Sequence, residues 1–236
     1  MDDNSTTDEG QWYDDVVSAT EPAVPCILLI DTSESMRIDN RIGNVRRGIE
    51  SLRNAILMNA EAADRVEFLV ITFSNHTKVH GRFQDPQGFV PPIFEASGGT
   101  MMGDAINTAL DELDKQKERY KKDQRTYYTP WLFLVTDGIP GNAKGPDPEF
   151  DKAANRLMQL GDSNKILFQA IMVNPNCSVD HLKKLSSQQP ISLGNISWKD
   201  LFVFISASVQ SMDSYADHRN TRNSVKVFDE SVLYED

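Results

Sequence analysis

Residues 25–36 read PCILLIDTSESM. The apolar run Cys26, Ile27, Leu28, Leu29 and Ile30 is continuous rather than alternating, the pattern of a strand covered on both faces of a parallel sheet. It stops at a carboxylate followed by two hydroxyls. Asp31, Ser33 and Ser35 recur with period two, so in an extended or looped backbone all three project toward one point. Ligands of open α/β sheets bind beyond the carboxyl ends of the strands, where the strand order reverses. Oxygen donors at a strand's carboxyl end therefore mark a candidate site. The competing reading is that Asp31, Thr32 and Ser33 cap a turn, as such residues often do.

Two other stretches have the same character. Residues 96–104, ASGGTMMGD, place two glycines before Thr100, where they permit positive φ and close backbone approach. A helix follows, with Ile106, Leu110 and Leu113 on one face; Thr100 is either its N-cap or something more. Residues 131–142, WLFLVTDGIPGN, are another continuous apolar run that ends at a carboxylate, Asp137, before a Gly/Pro loop.

Between and beyond these stretches, strands alternate with helices. Ile42, Val45, Ile49, Leu52 and Ile56 follow the i, i+3, i+4 spacing of a helix with one buried stripe, and Asp39 or Asn40 is placed to cap it. Residues 66–73 form an inner strand, and residues 77–83 a short strand that returns from it as an antiparallel hairpin at the sheet edge. His76 and His80 then read as solvated edge residues rather than a metal pair. Asp147, Pro148 and Glu149 read as N-cap, first helical proline and acidic first turn. They precede an inner strand at 166–173, a short helix at 179–186 and a short strand at 190–193. A last helix starts at Ser197 and carries Leu201, Ile205, Val209 and Met212. This alternation predicts an α/β fold: a doubly wound, mostly parallel sheet with one antiparallel edge strand and helices on both faces.

Composition sets the outer limits. The chain has 236 residues, 39% of them hydrophobic, enough for a real core. No run approaches the roughly 18 apolar residues of a membrane span. With 24 basic against 35 acidic residues, the net charge is −11, which repels phosphate backbones and disfavours nucleic acid. The acidic start, MDDNSTTDEGQWYDD, lacks the basic and apolar regions of a secretory signal and points to the cytoplasm. Cys26 and Cys177 fall at opposite ends of the sheet and read as reduced, with Cys26 in the core. The expected organisation is an acidic, flexible N-terminal tail over residues 1–22, a single domain over 23–212 and a C-terminal tail over 213–236.

Taken together, Asp31-Thr32-Ser33-Glu34-Ser35, Thr100 and Asp137 match a known set. The chain resembles the von Willebrand factor A domain family, whose metal-ion-dependent adhesion site is D-x-S-x-S with a distant threonine and a distant aspartate. Within the family, VPCILLIDTSESM, SGGTMMGDAI and LVTDGIPG look most like the small stand-alone bacterial proteins of the tellurite-resistance and stress type. Glu34 is a departure, since relatives often carry glycine there. The resemblance implies a divalent cation, Mg²⁺ or else Mn²⁺ or Ca²⁺, held by Asp31, Ser33, Ser35, Thr100 and Asp137. Hydroxyls would bind it directly and the aspartates often through water, leaving it open to a carboxylate from a partner protein. It also implies a binding module rather than an enzyme, in a bacterial stress-response or signalling assembly. Met36, Met101, Met102, Ile139 and Pro140 flank the motif as the expected rim of that contact, since Met-rich surfaces adapt to partners; the competing reading is that some of these methionines fill core beneath the loops, and for Met102 the two readings are equal. Acidic tail residues Asp2, Asp3, Glu235 and Asp236 offer a route to metal-dependent self-association.

Two other readings compete. A Mg²⁺-dependent phosphatase of the haloacid-dehalogenase-like type would also place an aspartate at the first strand's end, but it wants a second aspartate where Ser33 stands. A structural scaffold with an unused metal site is the other.

Overall fold

The computed structural model describes residues 21–174 and 179–193. In chain order its elements are β1 (Val24–Asp31), a 3₁₀ turn (Glu34–Asn40), α1 (Arg41–Leu57), α2 (Ala60–Arg65), β2 (Val66–Phe73), β3 (Thr77–Gln84), α3 (Met102–Lys122) and β4 (Trp131–Thr136). A small ribbon of β5 (Gly141–Asn142) and β6 (Gly145–Pro146) follows, then α4 (Phe150–Asp162), β7 (Leu167–Met172), α5 (Asp180–Lys183) and β8 (Ile191–Ser192). The main sheet has the order β3-β2-β1-β4-β7-β8. Every neighbouring pair is parallel except β2 and β3, which form the antiparallel edge.

The continuous apolar run of β1 has a simple cause. Its even-numbered residues Val24, Cys26, Leu28 and Ile30 pack on one face with Val45, Ile49, Leu52 and Ile56 of α1. Ile27 and Leu29 pack on the other with Ile106, Leu110 and Leu113 of α3 and Phe150 and Leu157 of α4. All eight residues of the strand are buried, and full burial of each large aliphatic chain stabilises by roughly 1.5–3 kcal/mol. The predicted fold class therefore holds. The chain leaves β1 to build β2 on one side, and β4 takes the place on the other side. The switch point of the sheet thus lies beyond the carboxyl ends of β1 and β4, where Asp31 and Asp137 stand.

Local departures from the sequence reading are informative. Neither Asp39 nor Asn40 caps α1 by its side chain. Both instead adopt left-handed φ, 51° and 54°, a conformation Asn and Asp tolerate better than other residues with a Cβ. The Asn40 side chain folds over Gly43, where an added Cβ would lie 2.4 Å from its Oδ1. The helix α4 begins at Phe150 with Glu149 as its N-cap, so Asp147 and Pro148 lie ahead of it rather than at its N-cap and first position; Asp147 has another task. Its Oδ1 accepts from Glu149 N at 3.0 Å, and its Oδ2 accepts from Gly103 N at 2.6 Å, so one buried carboxylate ties together the starts of α3 and α4. Gly103 is the matching close approach, since a Cβ there would lie 2.4 Å from Glu149 C.

His80 lies on β3 and shares a 2.8 Å hydrogen bond with Thr72 Oγ1, while His76 is exposed in the hairpin turn. Cys26 is a free, fully buried thiol whose pKa is raised by that burial. Of the expected N-terminal tail, Glu21 is described, and its carboxylate accepts two hydrogen bonds from Arg65. The remainder of that tail up to residue 20, Cys177, the helix expected from Ser197 and the tail over 213–236 lie outside the described residues.

Candidate metal centre

Three loops meet at the switch point. Asp31 ends β1, and its carboxylate is fully buried, with Oδ1 accepting from Ser33 N at 2.8 Å and Oδ2 from Thr136 Oγ1 at 2.6 Å. The Ser33 and Ser35 hydroxyls are 3.1 Å apart, as the period-two reading requires. Ser35 Oγ donates in turn to Asp137 Oδ1 at 2.7 Å, joining the first loop to the end of β4. Thr100 completes the set from the loop before α3: a Cβ added to Gly138 would lie 3.5 Å from Thr100 Oγ1 and 3.8 Å from Asp31 Oδ2. Both oxygens therefore border the same small volume. All five residues singled out from sequence come together; Thr136, whose hydroxyl donates to Asp31, did not stand out, because it reads as the last residue of an apolar strand.

Backbone hydrogen bonds lace the loops to one another. Thr32 donates to Phe73 O through both its N–H and its hydroxyl, at 2.8 and 2.9 Å. The 96–101 segment is held on three sides: Ser97 N donates to Thr32 O, Glu34 N donates to Gly98 O, and Met101 N donates to Ser74 O. Thr100 and Gly141 exchange N–H and C=O in both directions, at 2.7 and 2.9 Å. Gly98 is needed for its φ of +81°, and Gly99 because a Cβ there would lie 2.4 Å from Asn142 Cβ. Thr100 is therefore positioned by this lacing and does not act as the side-chain cap of α3.

The two carboxylates are managed differently. Burial pushes Asp31 from an ordinary 3.8 up to about 6; hydrogen bonds from Thr136 and Ser33 oppose the rise, and the nearby charge of Asp137 adds to it. Asp137 has instead a direct counter-ion. Arg41, the first residue of α1, donates from Nη1 to Asp137 Oδ2 at 2.6 Å, with a longer contact to Ser35 O at 3.4 Å. Arg41 was missed from sequence, because it lies 96 positions from its partner and the left-handed turn that aims it leaves no periodic signal.

The expected methionine rim needs correction. Met36 and Met102 are fully buried in the core, and Pro140 is buried as well. Met36, in the 3₁₀ turn, packs into the core on the α1 side of the sheet, and Met102, the first residue of α3, packs into the core on the other side. The exposed apolar side chains beside the motif are Ile139 and Ile38, each 54% exposed. Lys144 is exposed on the ribbon.

Three hydroxyls and two carboxylates make an all-oxygen set, the donor chemistry of a small hard dication. Among the described residues no group of three or more His, Cys, Asp or Glu is placed to hold a metal. The Asp31 carboxylate, raised in pKa chiefly by burial, is the group such a cation would satisfy.

An open, doubly wound, mostly parallel sheet with helices on both faces and oxygen side chains gathered at its switch point defines an α/β domain of Rossmann-like topology. The family model for the von Willebrand factor type A domain matches residues 26–217, and the chain belongs to that family. No curated protein matches it. Among solved structures, it is similar to proximal thread matrix protein 1 from the mussel byssus with a zinc-occupied MIDAS motif, at 15% identity over 81% of this chain and 46% of that one, TM-score 0.52. It is also similar to a von Willebrand factor type A protein from Catenulispora acidiphila, at 14% identity over 80% and 43%, TM-score 0.55. A third is the manganese-loaded TRAP protein of Plasmodium vivax, at 18% identity over 71% and 64%, TM-score 0.52. Likeness at these identities shows the fold alone. The chain spans under half the length of the first of these structures.

Proposed function

We propose that this domain is a metal-dependent protein-interaction module, in which Asp31, Ser33, Ser35, Thr100 and Asp137 hold one divalent cation, Mg²⁺ or else Mn²⁺ or Ca²⁺, that receives a carboxylate from a partner protein. The observation that carries this reading is the meeting of three strand-end loops around five oxygen side chains, with the Ser33, Ser35 and Asp137 side chains hydrogen-bonded in series. A zinc-occupied MIDAS in one structural relative and manganese in another support the metal class.

The protein's own groups divide the work. Ser33, Ser35 and Thr100 present neutral oxygens, and Asp31 and Asp137 supply compensating charge from within. A bound dication would supply an open coordination position for a charged oxygen. Exposed Ile38 and Ile139 give the incoming segment an apolar footing beside that position. Ser33, in place of a second aspartate, leaves the site without the acid that a haloacid-dehalogenase-like reaction requires, which favours binding over catalysis. The resemblance of VPCILLIDTSESM, SGGTMMGDAI and LVTDGIPG to bacterial stress-type members of the family supports a stress-response or signalling assembly as its setting.

Calorimetry with Mg²⁺ and Mn²⁺ tests the reading. One cation per chain is expected, lost in Asp31→Ala with the circular dichroism spectrum retained. A partner captured from lysate in Mg²⁺ should be released by EDTA and by Thr100→Ala. Cation binding that survives Asp31→Ala would refute it.

A further inference from the structure

The geometry points to Arg41 as a tethered cationic competitor for the metal, one that occupies Asp137 when the dication is away and opposes its arrival. This rests on the metal reading of the site and adds a control on its affinity.

Both oxygens of Asp137 are engaged in the structure: Oδ1 by the Ser35 hydroxyl and Oδ2 by the Arg41 guanidinium. The ion pair is sheltered, with the Asp137 side chain fully buried and that of Arg41 14% exposed. Water and salt therefore screen it poorly, and its charge acts at close range. A second anchor, the contact of Arg41 to Ser35 O, holds the guanidinium against the D-x-S-x-S loop itself.

The backbone is built to put it there. Asp39 and Asn40 take consecutive left-handed conformations immediately before it. Gly43 leaves room for the Asn40 side chain to fold back, and α1 then begins at Arg41. Asp39, at 3.9 Å and largely exposed, is a weak second partner for the guanidinium and does not hold it away from the site.

The consequence is one of charge. Two carboxylates and one guanidinium leave the metal-free site with a single net negative charge. A dication must either displace the guanidinium from Asp137 or bind beside it, and both routes weaken its affinity. The sign of the effect is the same whichever occurs. The loaded site keeps a net positive charge wherever Arg41 stays close, which draws an anionic partner more strongly than two free carboxylates would allow.

The test is Mn²⁺ and Mg²⁺ titration of the full chain by calorimetry, with electron paramagnetic resonance of free Mn²⁺ as a second readout. Arg41→Gln and Arg41→Met should tighten binding at least tenfold, about 1.4 kcal/mol, with the circular dichroism spectrum unchanged. Arg41→Lys keeps the charge and should stay within a few-fold of the parent. Raising salt should weaken binding less steeply in the parent than in Arg41→Gln, whose site carries the larger negative charge. Equal or weaker binding by folded Arg41→Gln overturns the inference while leaving the metal site standing. Equal tightening by Arg41→Lys also overturns it, since charge would not be the cause. If neither parent nor Arg41→Gln binds metal, the metal reading falls and this inference with it. Binding by Arg41→Gln where the parent shows none supports both.

Discussion

Replacing Asp31 with asparagine should make the metal-free protein more stable while removing its site. The structure gives the magnitude. Burial raises the Asp31 pKa from 3.8 to about 6, so the folded protein holds that proton more tightly than the unfolded chain does. Stability is then greatest below pH 3.8 as far as this group is concerned. It falls as pH rises toward 6, and the full penalty, about 3 kcal/mol at ~1.36 kcal/mol per pH unit, applies above that. Asparagine avoids the charge. Its Oδ1 still accepts from Ser33 N, and its amide donates to Thr136 Oγ1 by reversing the present bond. These neutral hydrogen bonds are weaker than those to a carboxylate, so the expected net gain is about 1–3 kcal/mol at pH 8.

The assay is urea unfolding of parent and Asp31→Asn in EDTA from pH 4 to 8. Other groups titrate in this range, and the difference between the two proteins isolates Asp31. That difference should be near zero at pH 4 and grow to its full value by pH 7. In excess Mg²⁺ the order should reverse: the parent gains about 4.1 kcal/mol at a thousandfold excess over Kd, and the variant gains nothing. An Asp31→Asn protein less stable than the parent at pH 8 in EDTA would refute the reasoning, because the buried charge would then not be a burden on the fold.

Gly103→Ala should destabilise by at least 1–3 kcal/mol in thermal or urea unfolding, since its Cβ would lie 2.4 Å from Glu149 C and 2.5 Å from Phe150 N, both backbone atoms. Gly161→Ala is the control: nothing lies within 4 Å of its Cβ, and it should be neutral or stabilise α4 by about 0.5–1 kcal/mol. Asp147→Ala removes the acceptor of both Gly103 N and Glu149 N and should cost about 2–3 kcal/mol by the same measurement. Asp147→Asn, which retains one acceptor, should recover part of that loss.

What could be read from sequence was whatever repeats with a period or sits at a strand end. Continuous runs at Ile27–Ile30 and Leu132–Val135 disclosed inner strands because both faces of each are covered, and the sheet then had to place Asp31 and Asp137 as neighbours. Asp31, Ser33 and Ser35 were legible because they lie on one short loop. Thr100 became legible only once the two glycines before it were seen to exceed what a cap needs, and the structure gives each glycine a separate task. Arg41, Thr136 and the double role of Asp147 were not legible. Each acts on a partner 96, 105 or 44 positions away, and such pairings follow from loop paths that no local pattern encodes. Adjacency to a motif does not say which way a side chain faces: Met36 faces the core against the rim reading, and Met102, for which core and rim are equal readings, is core as well.

In the proposed site, the two aspartates show how cation binding can be reconciled with a fold that must also be stable without a cation. A carboxylate deep enough to hold a dication away from water is costly when alone. This protein meets the difficulty in two different ways a few ångströms apart. Asp31 is left uncompensated apart from hydrogen bonds from Ser33 and Thr136, and its raised pKa is the mark of that cost. Asp137 is given a guanidinium. If both were uncompensated, their mutual repulsion would add to the burial cost of each. If both carried arginines, no charge would remain to draw a cation in. One free and one neutralised carboxylate leaves a single unsatisfied charge beside three hydroxyls, which under the proposed reading would recruit a dication without satisfying it fully. The remaining demand is what a partner's carboxylate would meet.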